Sequence, residues 1–263
     1  MSSRQVGIES KESIVDGLRI HYVQNFSGRA DEEASVTVFL HGWGANSESF
    51  REVLSYCADA IAIDLPGFGG SEQPKTAWSL NEYALFLKHF LEKLGIQKII
   101  LIGHSFGGSI AVRYAARYER AERLILIGSA GIRHKNTVRK AVLLGFAKSL
   151  GWLLKLPVVG IFRQRIRKQL YAWIGSEDYL ESGAMQTIYQ QIISEDVRDD
   201  VQKIKIPVVL IWGNSDKSTP IDDAYVFQKL FPQSRLEIVA QAGHYVFLDA
   251  PESFKDVFLK ALV

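Results

Sequence analysis

The chain has 263 residues and a formal net charge of +2; 47% of its residues are hydrophobic and 23% charged. That balance fits an ordinary globular protein, built as one large α/β domain or as a core with an insertion. The near-neutral total excludes a dedicated nucleic-acid binder, whose domain would be strongly basic, and the single cysteine, Cys57, excludes an intrachain disulfide framework and suits a reducing compartment.

Residues 1–10 contain no apolar core of a secretory signal, so a cytoplasmic location is expected. Residues 141–161 are apolar enough to resemble a membrane span, but they hold Lys148, Lys155, Pro157 and three glycines. A Lys at the centre of a span costs roughly 2.5–3.5 kcal/mol, which favours an apolar surface helix instead. The six histidines are scattered, without metal-ligand spacing, and no GxGxxG or Walker-type loop is present. The sequence therefore predicts no metal and no cofactor.

In chain order, residues 13–15 and 18–23 flank Asp16-Gly17, which predicts a two-residue hairpin. Residues 27–33 read as a polar loop. Short β-branched runs follow at 36–40, 60–63, 99–102, 124–127, 208–212 and 236–239, each ending in glycine or a polar loop. Continuous apolar runs predict strands buried on both faces, as in a parallel sheet. Helical spacing of apolar residues separates them at 80–94, 109–118, 221–231 and 251–262. This alternation predicts an α/β fold with a mostly parallel, doubly wound sheet. Between Ile132 and Lys203 the alternation stops, and helix-like sequence runs without a convincing strand. The expected division is a core of residues 1–132 and 204–263, with an inserted helical cap at 133–203.

The segment from Ile99 to Gly108 carries the most chemistry. An apolar strand runs into Gly103-His104-Ser105-Phe106-Gly107, and a helix follows. A serine on so tight a strand-to-helix turn needs small neighbours, and the helix start offers backbone N–H groups to a developing oxyanion. The context makes Ser105 a candidate nucleophile rather than part of a plain glycine-rich turn.

With these residues the chain resembles the α/β-hydrolase superfamily, whose members place an acid after the seventh strand and a histidine after the eighth. Here Trp212-Gly213-Asn214-Ser215-Asp216 follows a strand, with Thr219-Pro220 just beyond, and Ala242-Gly243-His244 follows the last one. The resemblance implies a catalytic set of Ser105, Asp216 and His244. His244 would take the Ser105 proton and Asp216 would hold the imidazole. Taken singly, His244 reads as a loop histidine and Asp216 as a turn residue; their joint order with Ser105 decides for catalysis. His41-Gly42-Trp43-Gly44 follows the strand at 36–40, and the resemblance implies that the backbone N–H groups of Trp43 and Phe106 face the oxyanion. It also implies a structural role for His41. Asp64, in Asp64-Leu65-Pro66-Gly67-Phe68-Gly69, reads as structural too, because Asp216 occupies the acid position.

A serine nucleophile forms an acyl-enzyme, leaving esters, thioesters, amides and certain activated C–C bonds as substrates. C–C hydrolases of diketone ring-fission products often carry Asn before the nucleophile and Trp after the histidine; here stand His104 and Tyr245. The Trp43 and Asp64 loops look like those of the carboxylesterases of biotin synthesis. A carboxylesterase acting on a small-molecule ester is the first reading. A C–C hydrolase, a small-molecule sensor that keeps the triad, and a cofactor-free lyase or haloperoxidase-like activity are the alternatives.

Residues 133–170 hold ten Lys and Arg and no Asp or Glu, on an amphipathic pattern, with an acidic cluster from Glu177 to Asp200 downstream. The first reading is a solvated basic face balanced by the acidic helices. The second is a contact between the basic cap and an anionic lipid surface or an acyl carrier.

Overall fold

A computed structural model of the chain describes residues 7–25, 35–133 and 185–263. Eight strands form one sheet: β1 (Glu9–Val15), β2 (Leu18–Asn25), β3 (Val36–Leu40), β4 (Ala60–Ile63), β5 (Ile99–His104), β6 (Ala121–Ile127), β7 (Val208–Gly213) and β8 (Arg235–Val239). Their order is β1-β2-β4-β3-β5-β6-β7-β8. The β1–β2 hairpin is antiparallel and joins β4 antiparallel; every other pair is parallel. The Asp16-Gly17 turn has both residues at positive φ, 51° and 77°, as the two-residue hairpin requires.

The parallel strands β3, β4 and β7 are buried along their whole length, because helices cover both sides of the sheet. On one face, Phe39, Ala62, Ile102, Ile125 and Ile211 share a core with Phe50, Leu54, Phe254 and Phe258. These last four come from the helical turns Ser47–Phe50 and Arg51–Leu54 and from the closing helix Pro251–Leu262. The opposite face receives α1 (Leu80–Lys93), where Phe90 meets Tyr22 edge-on at 5.3 Å. α2 (Phe106–Ala115) packs beside α1. α1 starts where the sequence reading places it, because Ser79 and Glu82 form a reciprocal cap.

Helix α3 spans Gln186–Ser194, α4 spans Ile221–Leu230 and α5 is the closing helix Pro251–Leu262. The chain divides into two compact units, Met1–Ile132 with Glu195–Val263, and Arg133–Ser194. The expected cap falls mostly on 134–184, outside the described residues. Within the first unit, Arg113 of α2 bonds Asp200 Oδ2 at 2.5 Å and Glu195 Oε2 at 3.1 Å. Val197 donates its N–H to the Gly131 carbonyl at 3.0 Å. Residues 195–203, which the sequence reading gives to the cap, are thus tied to the sheet unit. No helix among the described residues is long and apolar enough to cross a membrane.

Candidate active site

The parallel strands all point their carboxyl ends to one edge, and the loops there carry the expected residues. Ser105 lies between β5 and α2 with φ 52° and ψ −116°, a backbone conformation that a non-glycine residue adopts only when its surroundings hold it. They do so here from three sides. The Ser105 N–H donates to the Ile127 carbonyl at 3.1 Å, and its carbonyl accepts from Gly108 at 2.9 Å and Ala130 at 3.0 Å. A Cβ at Gly107 would collide with the Leu40 carbonyl, and one at Gly103 would sit 2.5 Å from the Gly107 carbonyl oxygen. Glycines at these positions let β5, α2 and the end of β3 close on one another.

Helix α2 begins at Phe106, three residues earlier than its apolar spacing suggests, so its first turn abuts Ser105. Gly107 donates to the His41 carbonyl at 3.1 Å, and Gly108 and Ser109 donate to Ser105. Among the described residues, the Phe106 amide is the one N–H of that turn without an acceptor. The loop after β3 closes against the same spot: a Cβ at Gly42 would sit 3.2 Å from Ser105 Cβ. Trp43 packs edge-on against Phe68 at 4.8 Å and Phe106 at 5.4 Å. This aromatic cluster fixes the backbone of the Trp43 loop beside the start of α2.

Asp216 and His244 are in contact: His244 Nδ1 donates to Asp216 Oδ2 at 2.8 Å. Asp216 is enclosed, its side chain fully buried. Its Oδ1 accepts from the amides of Ser218 (2.8 Å) and Thr219 (2.9 Å), and its Oδ2 accepts from the Thr219 hydroxyl at 2.8 Å. Burial pushes the carboxyl up, but His244 and the Thr219 donors outweigh it and hold it below the usual carboxylate range. An ionised acceptor therefore sets the His244 tautomer, with the proton on Nδ1 and the Nε2 lone pair free to take a proton. The two loops are tied together: Ser215 donates to the Ala242 carbonyl at 2.9 Å and Gln241 to Asn214 Oδ1 at 2.9 Å. Trp212 Nε1 donates to the Thr219 carbonyl at 2.9 Å and braces the acid loop from below.

Ser105 Oγ makes no hydrogen bond among the described residues. Its neighbour does reach the histidine: His104 Nε2 donates to the His244 carbonyl at 2.9 Å. Thr219 and His104 are the site residues that sequence reasoning left without a role. The signal for Thr219 is its spacing, since a hydroxyl residue three positions after a turn aspartate folds back on the carboxylate.

His41 and Asp64 hold loops. His41 Nδ1 donates to the Gly42 carbonyl at 2.7 Å and Nε2 accepts from the Leu65 amide at 3.0 Å, so neither nitrogen is left for a substrate. Complete burial brings its pKa down to about 4, and it is neutral. Asp64 accepts from the amides of Ser47 (2.6 Å) and Gly70 (2.7 Å). Among the described residues, no three His, Cys, Asp or Glu side chains converge as metal ligands.

The family model described as alpha/beta hydrolase fold matches residues 36–251. The chain belongs to the α/β-hydrolase family. This α/β hydrolase is 29% identical over 240 residues to the AB hydrolase superfamily protein YisY of Bacillus subtilis, covering 84% of this chain and 88% of that one. It is 26% identical over 267 residues to a 2-hydroxy-6-oxononadienedioate/2-hydroxy-6-oxononatrienedioate hydrolase of Burkholderia vietnamiensis, covering 93% and 91%. Its fold is similar to the crystal structure of a membrane phospholipase A described as a bacterial virulence factor (TM-score 0.75, 24% identity), covering 99% of this chain and 87% of that one.

Proposed function

We propose that this α/β hydrolase cleaves a carboxylic ester, or a thioester, of a small to medium apolar substrate through an acyl-enzyme on Ser105. The observation that carries the reading is the positive-φ serine at the β5–α2 turn, with a bonded carboxylate–imidazole pair on the loops after β7 and β8. Ser105 Oγ attacks the carbonyl carbon while His244 Nε2 takes its proton. The amides of Phe106 and Trp43 receive the oxyanion, where one such donor is worth on the order of 10²–10³ in rate. His244 returns the proton to the leaving alcohol, water attacks the acyl-enzyme with His244 again as base, and Ser105 is restored. Asp216 stays ionised throughout and stabilises the imidazolium.

Likeness to the C–C hydrolase of Burkholderia vietnamiensis favours a second reading, cleavage of an activated C–C bond at the same serine. His104 and Tyr245, standing where such enzymes often carry Asn and Trp, weigh against it. Turnover of p-nitrophenyl butyrate by the intact chain, with loss of that turnover in Ser105→Ala, supports the ester reading. Cleavage of a vinylogous 1,5-diketone with no ester turnover would replace it with the second.

The same proposal places the protein in the cytoplasm, which its single cysteine suits. For the basic run 133–170, of which only Arg133 lies among the described residues, a solvated face remains the first reading; the second, an anionic lipid surface or acyl carrier, is tested with vesicles. Salt-sensitive co-sedimentation with phosphatidylglycerol vesicles, and none with phosphatidylcholine, would favour the second reading; no co-sedimentation with either leaves the solvated face.

A further inference from the structure

A second serine, histidine and aspartate are joined where the β1–β2 hairpin meets the end of β4. The hairpin register pairs Ser10 with Val23 and Glu12 with His21, so Ser10 and His21 stand diagonally on one face of the ladder. Ser10 Oγ lies 2.5 Å from His21 Nε2, and His21 Nδ1 lies 2.8 Å from Asp64 Oδ2. Burial raises the Asp64 carboxyl, but bonds from Ser47, Gly70 and His21 hold it below the usual range. An ionised carboxylate only accepts, so Nδ1 carries the proton and Nε2 is left to accept from the Ser10 hydroxyl. The base is held in place by its backbone. The His21 N–H donates to Ser71 Oγ at 2.9 Å, its carbonyl accepts from the Asp64 N–H at 3.0 Å, and Ser71 Oγ donates to the Asp64 carbonyl at 2.6 Å. Exposure rises outward along the relay, from 3% for the Asp64 side chain to 20% for His21 and an exposed Ser10.

The geometry points to Ser10 as a second nucleophile, an acceptor site for small activated acyl donors. As Oγ bonds to the donor's carbonyl carbon, His21 Nε2 takes the hydroxyl proton. The tetrahedral adduct then expels its leaving group, and the imidazolium passes the proton to that group or to water. The products are O-acyl Ser10 and the free leaving group. On an exposed hairpin, water rather than fixed dipoles meets the oxyanion, so donors with good leaving groups, aryl esters or thioesters, are the class that reacts. The site is independent of the Ser105 reading, because it uses none of the same residues.

The test incubates the full Ser105→Ala chain with p-nitrophenyl acetate and follows acetylation residue by residue by tandem mass spectrometry. Lys11, the adjacent exposed amine, is the internal control. Ser10 is expected to acetylate, and Ser10→Ala to lose that signal without change at Lys11. His21→Ala and His21→Gln are each expected to slow Ser10 acetylation by at least about 10²-fold, the span of general-base assistance, again with Lys11 unchanged. The glutamine keeps hydrogen-bonding capacity but is no base, so it separates the relay from a mere strut. Ser10 left unmodified, or modified as fast with Gln at position 21 as with His, would overturn the proposal.

Discussion

His104 and His244 are locked together: Nε2 of the first donates to the backbone carbonyl of the second at 2.9 Å, and the two rings lie 4.7 Å apart. Burial, followed by the charge His244 can carry, brings the His104 pKa down to about 3. His104 is therefore neutral at any working pH, and its bond holds the His244 loop. Its Nδ1 is buried without a partner among the described residues. On the proposed reading, His104→Leu lowers kcat on p-nitrophenyl butyrate about tenfold, or ~1.4 kcal/mol, with little change in KM. His104→Asn, which keeps a donor, regains part of it. An unchanged kcat in the leucine variant contradicts the positioning role.

Acid sensitivity follows from the same burial. His41 and His104 stay neutral in the folded chain, with pKa values lowered to about 4 and about 3 from 6.5. Once unfolded, both bind protons below 6.5, so their contribution to stability is whole above 6.5 and is lost as pH falls toward 4. Each adds a slope of about 1.4 kcal/mol per pH unit in that window. Urea unfolding between pH 6.5 and 4.5 is expected to show this slope, and His41→Asn to reduce it by about one proton's worth. Parallel slopes for the two chains would refute the assignment.

Gly107→Ala tests the close approach at the β5–α2 turn. The added Cβ meets the Leu40 carbonyl, which is backbone and cannot swing away. A loss of more than about 2 kcal/mol in urea unfolding is expected. A neutral substitution would mean that β3 and α2 are not held as close as described.

Arg113 is nearly buried, and its guanidinium satisfies Asp200, Glu195 and Asn81. Glu195 in turn accepts the Leu80 amide at the start of α1 at 2.9 Å. Arg113→Met leaves two carboxylates without their partner, at an expected cost of about 3–5 kcal/mol in urea unfolding. Adding Asp200→Asn should recover part of the loss. A cost no larger than that of an exposed pair would show the network to be solvated.

The particular residues show what the sequence could and could not reveal. Strands β3, β4 and β7 were legible because burial on both faces leaves unbroken apolar runs. The sequence pattern starts β1 at residue 13, whereas the strand starts at Glu9: an edge strand has little to bury, and Glu-Ser-Lys-Glu-Ser carries no pattern. The apolar spacing starts α2 late because Gly107 and Gly108 are poor helix formers, tolerated where tight packing excludes side chains. Glu195 and Asp200 read in the sequence as members of an acidic cluster, since their partner Arg113 is distant in sequence. The motifs and the family resemblance put Ser105, Asp216 and His244 after successive strands, and the structure joins Asp216 to His244, whereas the bonds from Thr219 and His104 depend on contacts between loops. The Ser10–His21–Asp64 relay was invisible for the same reason.

The most direct measurement is mapping a fluorophosphonate adduct on the intact chain by tandem mass spectrometry, alongside Asp216→Asn. The expected result is rapid phosphonylation of Ser105, slowed by about 10⁴-fold in Asp216→Asn, where the imidazole loses its enforced tautomer. A folded chain whose Ser105 stays unmodified, or reacts equally fast without the Asp216 carboxylate, would contradict the serine-hydrolase mechanism.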